Sequence, residues 1–103
     1  MQLLTNELKA KLPKLYATEN EKDPICYIKF FTPDSSWSWY VTEFDGIDRF
    51  FGYVCGLSNE LGYFSLAELE ATIGAMGLHI ERDISFTPTK LSLVKRLCDD
   101  WIV

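Results

Sequence analysis

His79, Glu81 and Asp83 stand at alternate positions in Leu-His-Ile-Glu-Arg-Asp, so an extended chain turns all three to one side, as ligation of a metal would require. His79 is the only histidine, and any Ser-His-Asp or Cys-His arrangement would have to use it. No Gly-x-Ser-x-Gly or other nucleophile context accompanies it, and the polar edge of a half-buried strand accounts for the same spacing. The densest acidic group is Glu43, Asp45 and Asp48. It does not make an EF-hand, because Gly46 directly follows Asp45 and no glutamate near Val54 can close the loop. A charged hairpin tip is the simpler reading, and an acidic docking patch for a partner is its functional counterpart. Gly52, Gly56 and Gly62 lack the lysine and the strand-to-helix setting of a phosphate loop. Cys26, Cys55 and Cys98 are odd in number and widely spaced, which favours reduced, buried thiols over a disulfide framework. No catalytic residue, metal ligand or cofactor is assigned.

These groups must be carried by short elements. Leu4, Leu8 and Leu12 recur at helical spacing between Thr5, a candidate N-cap, and Pro13, a stop. Strands are expected over Ile25–Thr32, Trp37–Phe44, Phe50–Leu57 and Leu61–Phe64, with Pro33-Asp-Ser-Ser36 as a turn. Ser65-Leu-Ala-Glu68 is a capping box opening a helix whose apolar stripe is Leu66, Leu69, Ile73 and Met76, with Gly77 as its C-cap. Leu78–Phe86 reads as a further, weaker strand. After Pro88, Val94, Leu97, Cys98 and Trp101 mark one face of a closing helix. This order predicts an α+β fold: an antiparallel meander of four to five strands with three helices packed on it, as a single domain over residues 1–103.

The central hairpin carries most of the information. Twelve of the fifteen aromatic residues lie between Tyr27 and Phe64. Asp45-Gly46 is a strong turn pair. A two-residue loop would set Glu43 against Asp48, like charge against like. A four-residue loop over Asp45–Asp48 instead pairs Tyr40 with Tyr53, Trp39 with Val54 and Val41 with Gly52. One face then holds Trp37, Trp39, Val41, Phe50 and Val54, and the other Tyr40, Phe44, Phe51, Tyr53 and Leu57. Both faces are aromatic, so each needs a cover, from within the protein or from a partner.

Composition narrows the function. The net charge is −5, and residues 30–83 hold nine acids against two bases. Such a segment repels a phosphate backbone, so direct nucleic-acid binding is not expected. No apolar run approaches the ~20 residues of a membrane span, and the N-terminus lacks a basic region before an apolar core. A cytoplasmic protein is expected.

Several strings in this chain resemble a bacterial domain-of-unknown-function family, the one numbered twenty-nine fifty-eight. They are Thr32-Pro-Asp-Ser, Trp37-Ser-Trp-Tyr, Thr42-Glu-Phe-Asp-Gly46, Phe50-Phe-Gly-Tyr-Val-Cys-Gly-Leu57 and Glu60-Leu-Gly-Tyr-Phe-Ser-Leu-Ala-Glu-Leu69. Leu-Leu-Thr-Asn-Glu-Leu, Ile80-Glu-Arg-Asp83 and Lys90-Leu-Ser92 are similar too, so the likeness spans residues 2–95. The resemblance implies a small protein of plasmids, phages and other mobile elements, encoded near anti-restriction and DNA-processing genes. The expectation is a non-enzymatic protein-binding role, with a host defence nuclease of restriction or CRISPR type as the partner. Trp37, Trp39, Tyr40, Glu43, Asp45 and Asp48 are the expected contact residues. The alternatives are a homodimeric structural module and a small metal-dependent enzyme using His79, Glu81 and Asp83 or the carboxylates at 43, 45 and 48.

Overall fold

The computed structural model describes residues 2–100. Its elements run α1 (Asn6–Lys11), β1 (Ile25–Cys26), β2 (Ile28–Phe31), β3 (Ser38–Phe44), β4 (Arg49–Cys55), β5 (Asn59–Ser65), α2 (Leu66–Ala71), β6 (Glu81–Arg82), β7 (Thr89–Lys90) and α3 (Leu91–Asp100). A five-stranded antiparallel sheet has the order β5-β4-β3-β2-β6, and β1 pairs with β7 in a separate two-stranded sheet. This is the α+β meander with three helices that the sequence predicts. The predicted first strand is broken at Tyr27, which sends its two halves into different sheets.

Thr5 caps α1 through its hydroxyl, which accepts the Leu8 amide at 3.2 Å. A six-residue helix has little stability of its own. Leu3, Leu4, Leu8 and Leu12 hold it by packing on one face of the sheet, against Ile28, Phe30, Val41, Phe44 and Phe50. Leu69 of α2 and Ile80 complete that core. The opposite face holds Tyr40, Tyr53 and Cys55 under Leu91, Val94 and Cys98 of α3. The middle of both aromatic faces is therefore covered by the protein's own elements, whereas Trp37 at 36% and Leu57 at 96% stay exposed at the sheet's end.

The hairpin register is as expected for Trp39 with Val54, Tyr40 with Tyr53 and Val41 with Gly52. It then slips. A bulge between Val41 and Glu43 sets Glu43 opposite Phe51 and Phe44 opposite Phe50. Phe44 thus changes face and stacks on Phe50 at 4.6 Å, and Glu43 turns to the other side. Thr42, buried at the bulge, donates its hydroxyl to the Phe51 carbonyl at 2.9 Å. A Cβ at Gly52 would lie 1.8 Å from the Tyr40 carbonyl oxygen, so only glycine fits across from this stretch of β3.

Three further expectations are corrected. The helix after Ser65 ends at Ala71, leaving Ile73 57% and Met76 77% exposed instead of in the core. Thr72 bonds back to the Glu68 carbonyl, and the chain reverses in a turn in which Gly77 donates to Gly74 and takes φ +78°. The Asp34 carboxylate accepts the Met76 amide at 3.0 Å and pins that turn to the β2–β3 connection. In α3 the buried stripe is Leu91, Val94 and Cys98, whereas Leu97 is exposed. Trp101 lies outside the described residues. Finally, Cys55 and Cys98 form a disulfide, and only Cys26 is a free, buried thiol. Spacing along the chain could not show that the end of β4 meets the last turn of α3. Desolvation pushes the Cys26 thiol up to about 12.

Candidate functional site

The six expected contact residues do not form one surface. Trp37 and Trp39 lie at the β2–β3 end of the sheet, and Asp45 and Asp48 at the other end of β3. A rise of roughly 3.3 Å per residue separates the two groups by about 20 Å. Tyr40 is only 6% exposed, on the face opposite Trp39, where its ring packs 5.7 Å from Phe86. Glu43 is 4% exposed and unavailable to a partner in this structure.

All three carboxylates of the acidic group accept hydrogen bonds from within the protein. Glu43 takes the Tyr16 amide at 2.8 Å, the Thr18 amide at 2.9 Å and the Thr18 hydroxyl. It thereby holds Tyr16 at φ +70°, a left-handed conformation costly for a residue with a Cβ. Asp45 Oδ1 accepts the amides of Ile47, Asp48 and Arg49, closing the hairpin tip. Asp48 accepts the Ser65 hydroxyl and the Ala67 amide at the start of α2, alongside the expected Ser65 cap on Glu68.

The bonds to Asp45 and Asp48 favour their ionised forms. Hydrogen bonds from the Ile47 and Asp48 amides hold Asp45 below the ordinary aspartate value, and the Ser65 hydroxyl and then the Ala67 amide do so for Asp48. A depressed folded value means stability that is present above the unfolded value of about 3.9 and lost as pH falls through the folded one. The urea midpoint is therefore expected to drop below about pH 4. Asp48→Asn should flatten that dependence; an identical acid limb in the variant would contradict it.

His79, Glu81 and Asp83 do not converge on one centre. His79 is exposed and bridged to Ile73, and Glu81 pairs with Phe31. Asp83 binds the Ser85 amide and hydroxyl and lies 3.9 Å from Lys29. Among the described residues no group of three or more His, Cys, Asp or Glu is placed to hold a metal. No helix among them is long and apolar enough to cross a membrane.

What the fold does build is a groove of about 440 Å³ between the β2–β3 turn, the end of β4 and α3. Phe31, Trp37, Tyr40, Gly56, Asn59 and Leu97 are among its lining residues. Thr32 closes the turn: its hydroxyl accepts the Trp37 amide at 3.1 Å, and its own amide donates to the Trp37 carbonyl. Trp37 is 36% exposed, and its ring stacks on Trp39 at 5.9 Å and 25°. Its ring also lies on Gly56, where an added Cβ would come within 2.3 Å. Lys29 sits 5.8 Å from the ring centres of both Phe31 and Tyr40, and burial pushes the Tyr40 hydroxyl up from its ordinary value. Two expected residues, Trp37 and Tyr40, thus meet in one groove. Lys29 and Phe31 were legible as alternate positions of a strand, but nothing in the sequence places Leu97 beside them.

No curated protein and no solved structure matches the chain. The model of a family described as "Protein of unknown function (DUF2958)" matches residues 3–98, a span that includes the hairpin, the groove and most of α3. The chain belongs to the DUF2958 family.

Proposed function

We propose that this protein is a non-enzymatic binding module that docks a protein partner at the Trp37 groove. The observation that carries the reading is Trp37 itself, a half-exposed indole already packed against Trp39 and Gly56. Rigid aromatic side chains at the mouth of a groove are the usual anchors of protein interfaces, because little side-chain freedom is left to lose on binding. The net charge of −5 favours a basic partner and disfavours nucleic acid itself. A host defence nuclease of restriction or CRISPR type has such a basic channel, and an inhibitor carried by a bacterial mobile element would suit this chemistry.

Phage plating on a restricting host, with and without the protein, tests the proposal. Wild type should raise plating well above the vector control, and Trp37→Ala should return it to that control. Against the purified nuclease, the same change should weaken binding roughly thirtyfold, the loss of a ~2 kcal/mol anchor. Gly56→Val, which displaces the indole without removing it, should act in the same direction. Equal plating with and without the wild-type protein would remove the defence-nuclease reading.

A further inference from the structure

The five-stranded sheet ends differently on its two sides. On one side β6 has two residues, Glu81 and Arg82, both charged and too short to recruit another strand. On the other, β5 runs for seven residues, Asn59–Ser65, with no lysine, no proline and no slip in its register to β4. The direction of its backbone groups follows from the ladder. The Arg49 carbonyl accepts the Asp45 amide, so Arg49, Phe51 and Tyr53 face β3, while Phe50, Gly52 and Val54 face β5. Their partners Phe64, Gly62 and Glu60 are thereby used, and the N–H and C=O groups of Leu61 and Tyr63 point outward. Outside the strand ladder, no backbone hydrogen bond to Leu61 or Tyr63 occurs among the described residues.

We infer that two copies of this chain pair β5 to β5, antiparallel, about a two-fold axis at Gly62. That axis overlaps the whole strand. It sets Leu61 opposite Tyr63 of the second copy and Asn59 opposite Ser65, each exchanging outward N–H and C=O groups. Glu60 then lies across from Phe64, so no carboxylate faces another; an axis at Glu60 would set the two Glu60 side chains directly against each other. Leu61 and Tyr63 are both exposed on one face, with the Phe51 ring 5.0 Å from Tyr63, and pairing covers this apolar strip. Gly62 would form the non-hydrogen-bonded pair on the axis, where Cα atoms approach to about 4.5 Å. A Cβ there meets nothing within 4 Å in the single chain, so the position accepts a side chain.

Sedimentation equilibrium of the full chain should give twice the monomer mass. Mild oxidation of Gly62→Cys should yield a covalent dimer on a non-reducing gel, since the Cα separation suits a disulfide. Glu60→Cys, offset from its symmetry mate, should not cross-link. Leu61→Lys, with an unchanged far-ultraviolet spectrum, should weaken dimerisation at least tenfold. A wild-type protein that stays monomeric at high concentration would overturn the inference. So would a dimer that Gly62→Cys fails to cross-link or that Leu61→Lys leaves intact.

Discussion

Replacing Glu43 by alanine should lower the unfolding free energy by about 3 kcal/mol, read as a fall in the urea midpoint at an unchanged slope. The carboxylate is buried, and its two oxygens accept the amides of Tyr16 and Thr18 and the Thr18 hydroxyl. Taking it away strands those donors in a half-buried loop, and an unmet buried donor costs ~1–3 kcal/mol. It also removes what holds Tyr16 in its left-handed conformation. Glu43→Gln is the informative companion. Its amide keeps one accepting oxygen but turns a donor toward a second donor, so it should recover only part of the loss. Tyr16→Gly, which tolerates the same backbone without strain, should be milder than Glu43→Ala despite deleting a whole ring. A Glu43→Ala protein as stable as wild type would mean that the loop is held by something other than this carboxylate.

That result bears on how much of the molecule was readable beforehand. The pairing of Trp39 with Val54 and Tyr40 with Tyr53 followed from local physics: a turn dipeptide, the avoidance of like charges and strict alternation. The caps by Thr5 and Ser65 were legible for the same reason, since each acts within its own first turn. The bulge was not. It depends on Glu43 meeting Tyr16 and Thr18, residues 27 and 25 positions away, and no local pattern reports a contact at that range. One extra residue in β3 then moved Phe44 into the core and took Glu43 off the surface. The six expected contact residues were scattered by the same geometry. Alternation put Tyr40 and Trp39 on opposite faces, and the length of β3 separated Trp37 from Asp45. The end of α2 was not legible because its stripe continues past Ala71. The turn closed by the Gly77 amide and the distant Asp34 carboxylate, which accepts the Met76 amide, stop the helix earlier.

Reduction of the Cys55–Cys98 disulfide is expected to cost about 4 kcal/mol of unfolding free energy, the chain-entropy value for a closed loop of this sequence separation, 43. The loss should be uneven along α3. Its beginning is tied by hydrogen bonds: the Leu91 amide donates to the Pro24 carbonyl, and Ser92 gives both its amide and hydroxyl to Asp23. Its last turns are held more lightly, by the buried Val94 and Cys98 and by Lys95 over the Tyr53 ring. An exposed 3.4 Å hydrogen bond from the Asn59 amide group to Asp99 adds to these, while Leu97 stays exposed at the groove. Freed from Cys55, those turns should fray and uncover Tyr53 and the α3 side of the groove while β3 and β4 stay paired. Amide exchange should therefore quicken at residues 95–99 under a dithiol and stay slow at Tyr40 and Val41. Cys98→Ser should reproduce the reduced behaviour without reductant, and Cys26→Ser should keep the full response. If the urea midpoint is the same with and without dithiol, the two sulfurs do not staple the helix. If exchange accelerates equally in β3, α3 is not a separable unit but part of the cooperative core, and the groove cannot open without unfolding the sheet beneath it.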